Sequence, residues 1–161
     1  EDVHPDILIL GKALSGGMYP VSAVLANDDI MLTIAPGEHG STYGGSPMAA
    51  SVAIGSLLVV GDEELTRNAF EVGELFRNEI AKINNPMLLK VRGKGLLNAV
   101  VTRPMEHKTA WDICLALKEN GLLAKPTHGD IIRFTPPLII TKEQMMDSIA
   151  IIRKTLDAFG K

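Results

Sequence analysis

Leu65, Ala69, Val72, Phe76, Ile80 and Ile83 recur at three- and four-residue steps, which predicts a helix with one apolar face. Asp62 fits as its N-cap, with Glu63 and Glu64 at the positive end of the helix dipole, and Asn84-Asn85-Pro86 stops it. A second stripe, Met145, Ile149, Ile152, Leu156 and Phe159, predicts the last helix of the chain. Thr141 and Gln144 fit a capping box ahead of it, and Ile140 with Met145 a hydrophobic staple. Between these two, residues 109–120 read as a helix closed by Gly121. Short apolar runs predict strands at 7–10, which reads as buried, at 21–26, at 122–125 and at 131–135. Residues 87–102 also look like strand, broken by a turn or bulge at Gly93-Lys94-Gly95. A further helix, about 47–60, starts with Pro47 in its first turn and carries Ala49, Ala50, Ser51, Ala53, Gly55 and Ser56. That many small side chains predict close packing on neighbouring backbone.

The pattern changes near residue 60. Before it lie turns, small residues and polar loops; after it comes a helix–strand–helix–strand–strand–helix order suited to a compact α+β layer. The chain has 161 residues, 46% of them hydrophobic, enough for a real core. A net charge of −3, with no basic patch and no basic amphipathic helix, points away from nucleic acid and from membrane surfaces. No apolar stretch reaches the roughly 20 residues of a membrane span. The single cysteine, Cys114, cannot form an intrachain disulfide, which suits an intracellular, reducing compartment. The opening Glu1-Asp2-Val3-His4-Pro5-Asp6 carries neither an initiator Met nor a targeting sequence, and the chain reads as a piece of something longer.

Three places carry candidate chemistry. Ile7-Leu8-Ile9-Leu10-Gly11-Lys12 runs an apolar strand into a lysine and then a small-residue turn. An amine at the end of a buried strand has its pKa depressed by desolvation, and so can serve as a nucleophile toward a carbonyl. An ordinary lysine at a strand end fits the same residues. The loop Gly37-Glu38-His39-Gly40-Ser41-Thr42-Tyr43-Gly44-Gly45-Ser46-Pro47 offers the Ser41 and Thr42 hydroxyls and backbone N–H groups at glycines to an anion such as phosphate. It lacks the Gly-Lys-Ser/Thr ending of a P-loop, and a surface loop is the alternative. Arg133 sits inside the strand Ile131-Ile132-Arg133-Phe134-Thr135, where its planar fork suits a carboxylate or, equally, points outward to solvent. His4, His39, His107 and His128 have no metal-ligand spacing. Cys114 reads as a buried structural thiol, Trp111 as core, and Glu63, Glu64, Glu71 and Glu74 as a solvated helix face.

Taken together, Gly11-Lys12-Ala13-Leu14-Ser15-Gly16-Gly17 and His39-Gly40-Ser41-Thr42-Tyr43-Gly44-Gly45 resemble the lysine and phosphate-loop motifs of the class III aminotransferases, which use pyridoxal 5'-phosphate (PLP). Arg92-Gly93-Lys94-Gly95-Leu96-Leu97-Asn98-Ala99 and the stretch from Gly121 to Phe134 are similar to the ornithine-specific branch of that family. The resemblance covers essentially the whole chain, with Ser46 where the family usually has asparagine. It implies the C-terminal part of the PLP-dependent transferase type I fold, an α/β class with an α+β small domain: residues 1–60 as the end of the large PLP-binding domain, and 61–161 as the small domain. It further implies that Lys12 carries PLP as a Schiff base and moves the proton, and that Thr42 with Ser41 binds the PLP phosphate of a neighbouring subunit. Arg133 would then hold the carboxylate of the oxo-acid or glutamate substrate. The implied reaction passes the δ-amino group of ornithine to 2-oxoglutarate, in a homodimer or higher homo-oligomer in the cytoplasm or mitochondrial matrix. Acetylornithine or γ-aminobutyrate are the alternative amino donors, and a non-catalytic dimerisation unit is the reading from another class. The family's acidic partner for the pyridinium nitrogen precedes the lysine and is outside these residues, so the 161 residues alone are expected to have little or no activity.

Overall fold

The computed structural model describes residues 2–103 and 108–159, and it separates into two compact units, 1–63 and 64–161. In the first, β1 (Ile7–Leu10) pairs antiparallel with β2 (Ala23–Ala26), Ile7 opposite Ala26 and Leu10 opposite Ala23. A single 3-10 turn, Lys12–Ser15, follows β1, and a short helix α1 (Asp28–Met31) follows β2. The long helix α2 (Pro47–Asp62) closes the unit.

Burial here departs from the sequence reading. Ile7, Leu8 and Ile9 are 50%, 43% and 74% exposed, so β1 is not a buried strand. A two-stranded ribbon has no second layer in this unit to cover it. On α2 only Ala49 and Ala53 are buried, while Met48, Ile54, Leu57, Leu58 and Val59 stay exposed. The helix is apolar on every side, as buried helices are.

The second unit has a true core. Its sheet runs β3 (Leu88–Lys94), β4 (Leu97–Thr102), β6 (Ile131–Phe134), β5 (Lys125–Thr127) in spatial order, every pair antiparallel. Asn98, Val100 and Thr102 on β4 and Ile132 and Phe134 on β6 are buried, in the alternation that puts one sheet face inside. Onto that face pack α3 (Leu65–Ala81), α4 (Ala110–Glu119) and α5 (Lys142–Phe159). Val72, Phe76 and Ile80 come from α3, Ile113 and Leu117 from α4, and Met145, Ile149, Ile152 and Leu156 from α5. The Phe76 and Phe134 rings meet at 5.4 Å with a 47° tilt, within the range of favourable aromatic pairs. Helices on one face of an antiparallel sheet make this an α+β layer.

Local signals decide several boundaries. Gln144 N–H donates to the Thr141 hydroxyl at 3.2 Å and Thr141 N–H to Gln144 Oε1 at 3.0 Å, the capping box the sequence predicts. Ahead of α4, the Thr109 hydroxyl and N–H both donate to Asp112 Oδ2 at 2.7 Å, and these two bonds hold the Asp112 carboxyl below its ordinary pKa. Asp62 is not the N-cap of α3: α2 runs through it, Glu63 caps that helix, and Glu64 takes a left-handed φ of 49° that breaks the chain direction before Leu65. The strand expected at 122–125 forms later, as β5, with Pro126 opposite Ile132. β5 is an edge strand, where a missing N–H is tolerated. Trp111 is 57% exposed and is not core, because it lies off the Ala110, Ile113, Cys114, Leu117 stripe. Cys114 is buried and free, its thiol pushed up to about 11 by desolvation. Among the described residues no helix is long and apolar enough to cross a membrane.

Candidate functional site

Lys12, Ser41 and Thr42 belong to the first unit and Arg133 to the second. At Lys12 the backbone is unusual. Gly11 is fully extended, and Lys12 itself has φ of +53°, the left-handed region that side chains with a Cβ enter at a cost of about 1–2 kcal/mol. The turn after it is locked by Ser15, which is 1% exposed. Its hydroxyl donates to the Tyr19 carbonyl and accepts from Tyr19 N–H at 3.2 Å. Gly16 presses close on α2, so that a Cβ there would stand 3.2 Å from Ser56 Oγ. A small, well-anchored turn thus presents Lys12, whose side chain is exposed. That exposure departs from the sequence reading, which put Lys12 at the end of a buried strand: β1 is uncovered in this unit.

The loop 37–46 leads straight into the N-terminus of α2. Ser41 Oγ accepts the Gly44 N–H at 3.0 Å, which folds the loop back on itself, while the Thr42 hydroxyl makes no hydrogen bond with the described residues. Both residues are exposed, and no hydrogen bond joins either to Lys12. The Ser46 side chain does not cap α2, and free N–H groups at a helix start favour an anion. Lys12 offers an amine that suits an aldehyde, and the loop separately offers an unengaged hydroxyl and open backbone donors that suit a phosphate.

Arg133 is exposed on the outer face of the second unit's sheet. Its register partners are Ala99 on β4 and Lys125 on β5, and Ala99 in turn faces Arg92 on β3. Arg92, Ala99, Arg133 and Lys125 therefore form one row across the sheet. The sequence reading singled out Arg133 alone. No single strand discloses its partner, since register is set by pairing between segments. Among the described residues no group of three His, Cys, Asp or Glu side chains is placed to hold a metal, and His107 lies outside the described residues.

Comparison with known proteins adds the context of the whole chain. The family model described as aminotransferase class-III matches residues 1–156. The mitochondrial ornithine aminotransferase of Drosophila melanogaster is 63% identical over 156 residues, covering 97% of this chain and 36% of that protein. That of Rattus norvegicus is 57% identical over 159 residues, covering 99% and 36%. Among solved structures, an acetylornithine aminotransferase from Elizabethkingia anophelis superposes with a TM-score of 0.92 at 61% identity, over 98% of this chain and 40% of that one. An ornithine aminotransferase from Plasmodium yoelii gives 0.91 at 52%, over 98% and 42%. The chain spans little more than a third of the length of the curated relatives it matches. A family model that takes in the Lys12 turn, the 37–46 loop and the Arg133 strand in one continuous match leaves a single assignment: this chain belongs to the class-III aminotransferases.

Proposed function

We propose that the protein containing this chain is a PLP-dependent ornithine δ-aminotransferase, which moves the δ-amino group of ornithine to 2-oxoglutarate. The observation that carries this reading is Lys12, a lysine in left-handed backbone at the head of an anchored turn, within a chain so similar to proteins of that name. Residues 1–60 are then the end of the large PLP-binding domain and 61–161 the small domain.

PLP, when bound, supplies an electron sink for the pair left behind when a C–H bond beside the substrate nitrogen breaks. Each residue has a separate task. Lys12 Nζ would hold the cofactor at its carbonyl carbon, with loss of water, and as a free amine would take and return the proton at the substrate carbon. The Thr42 hydroxyl, with Ser41 and the loop N–H groups, binds the phosphate. Arg133 binds a carboxylate of the oxo acid in a forked, two-bond grip. Assigning Thr42 to the phosphate of a neighbouring subunit makes the enzyme a homodimer or a higher oligomer. Relatives named as mitochondrial support the mitochondrial matrix, with the cytoplasm as the alternative compartment.

The name of the 61%-identical solved structure makes acetylornithine the competing donor. The deciding experiment gives the full-length protein ornithine, N-acetylornithine and γ-aminobutyrate, each with 2-oxoglutarate. Ornithine should lead in kcat/KM, and borohydride reduction in the presence of PLP should label Lys12 alone. A preference for N-acetylornithine would overturn the substrate, and labelling at another lysine would overturn the site.

A further inference from the structure

One face of the second unit's sheet is sealed by helices, and the other carries charge of a single sign. Lys90 pairs opposite Val101, Arg92 opposite Ala99 and Lys94 opposite Leu97, so all three side chains leave β3 on the outer face. Arg133 on β6 and Lys125 on β5 leave the same face, and all five residues are exposed. No Asp or Glu occurs on any of the four strands; Asp130 lies beside them, in the β5–β6 turn. Lys90, Arg92, Lys125 and Arg133 form no ion pair among the described residues. Scattered over residues 90–133, these cations make no run in the sequence, and strand pairing gathers them on a chain whose net charge is −3.

Such a face acts at a distance. Neighbouring strands lie about 5 Å apart, which puts β3 about 10 Å from β6 across β4. At about 10 Å in water two unit charges shift an equilibrium about twofold, and a dianion doubles the energy to about fourfold, before salt screens it. The two substrates of the proposed reaction differ in sign. At neutral pH 2-oxoglutarate is a dianion, while ornithine carries one net positive charge. A cationic face concentrates the first near it and thins out the second.

We propose that Lys90 and Arg92 steer the oxo acid toward Arg133, raising its rate of capture without touching it. This rests on the reading of Arg133 as the oxo-acid residue. The same field opposes ornithine, so the two half-reactions respond to salt with opposite signs.

The test measures kcat/KM for 2-oxoglutarate and for ornithine with the full-length holoenzyme at two ionic strengths. Lys90→Met combined with Arg92→Met should lower the value for 2-oxoglutarate about fivefold at about 10 mM and about twofold at about 150 mM. The value for ornithine should rise about twofold at the lower salt. Lys90→Arg combined with Arg92→Lys keeps the charge and should match the parent. Equal losses for both substrates, a loss in the charge-conserving pair, or a loss that salt does not reduce would overturn the proposal. Arg133→Met separates the two ideas. If it weakens use of the oxo acid while the paired Met variant leaves that unchanged, the Arg133 reading stands and the steering falls. If Arg133→Met leaves the oxo acid unaffected, both fall.

Discussion

Gly73→Ala should be strongly destabilising, although alanine is the better helix former by about 1 kcal/mol. Gly73 is buried on α3 where the helix meets the β3–β4 turn. A Cβ added there would stand 1.9 Å from the Gly95 carbonyl oxygen and 2.5 Å from its carbon. A normal carbon–oxygen contact needs more than 3 Å, so helix and turn must part by over an ångström. Neither partner gives easily. Gly95 O already accepts from Arg77 Nη1 at 2.9 Å and from Asn98 Nδ2 at 3.2 Å, and Arg77 also donates to Asn98 Oδ1 at 2.6 Å. Separation would loosen these bonds and open the contacts of Val72 and Phe76, on either side of Gly73 in the core. Overpacking of this kind costs about 1–3 kcal/mol, and disturbing a buried bond adds about 1 kcal/mol more. Against the helix-propensity gain, the net is about 2 kcal/mol. Urea unfolding followed by circular dichroism at 222 nm reads this as a midpoint lowered by about 1 M. A variant as stable as the parent would refute the close packing of α3 on the Gly95 turn.

Two further predictions concern buried polar groups. Asn85 Nδ2 donates to the Leu156 carbonyl at 2.9 Å and Asn85 Oδ1 accepts from Met87 N–H at 2.9 Å, so Asn85→Ala should cost about 2–3 kcal/mol by urea unfolding. Asn84→Ala at the exposed neighbour should stay within about 0.5 kcal/mol, and equal effects would refute the anchoring role. Burial pushes the Cys114 thiol from 9.0 up to about 11. The folded state therefore keeps its proton more tightly than the unfolded one, and the resulting stabilisation is complete below pH 9 and lost as pH rises toward 11. A thiol reagent at pH 8 should label Cys114 only on unfolding, and rapid labelling of the native chain would contradict its burial.

What was legible in the sequence followed from local periodicity and local chemistry. The Thr141–Gln144 box and the Met145-to-Leu156 stripe are written within a single segment, and the structure has both. The break between α2 and α3 was misplaced because Asp62 makes a reasonable N-cap by type, while the turn depends on the left-handed Glu64. Periodicity held the answer for Trp111, one position off the buried stripe of α4, but the bulk of the indole suggested core. The 7–10 run was a correct strand with the wrong burial, because an apolar run records what a strand wants covered and not what covers it. In the candidate site, Lys12 and Thr42 were visible as residue types in small-residue turns. The Lys125–Arg133 pairing needed the register of two strands, which neither strand states alone.

The two units differ in how they hold their chemistry. The second carries its own core, so the row from Arg92 to Lys125 stands on a sheet whose other face is sealed by three helices. The first presents Lys12 from a turn fixed by Ser15 and α2, yet leaves β1 and most of α2 open. Left-handed backbone at Lys12 costs about as much as burying one large apolar side chain contributes, roughly 1–3 kcal/mol. The buried residues of α2, Ala49 and Ala53, are small and offset little of it. Closing the apolar surface of β1 and α2 against a partner surface would bury several large side chains at once, far outweighing that strain. On this argument, the geometry of Lys12 depends on the surface that covers its strand.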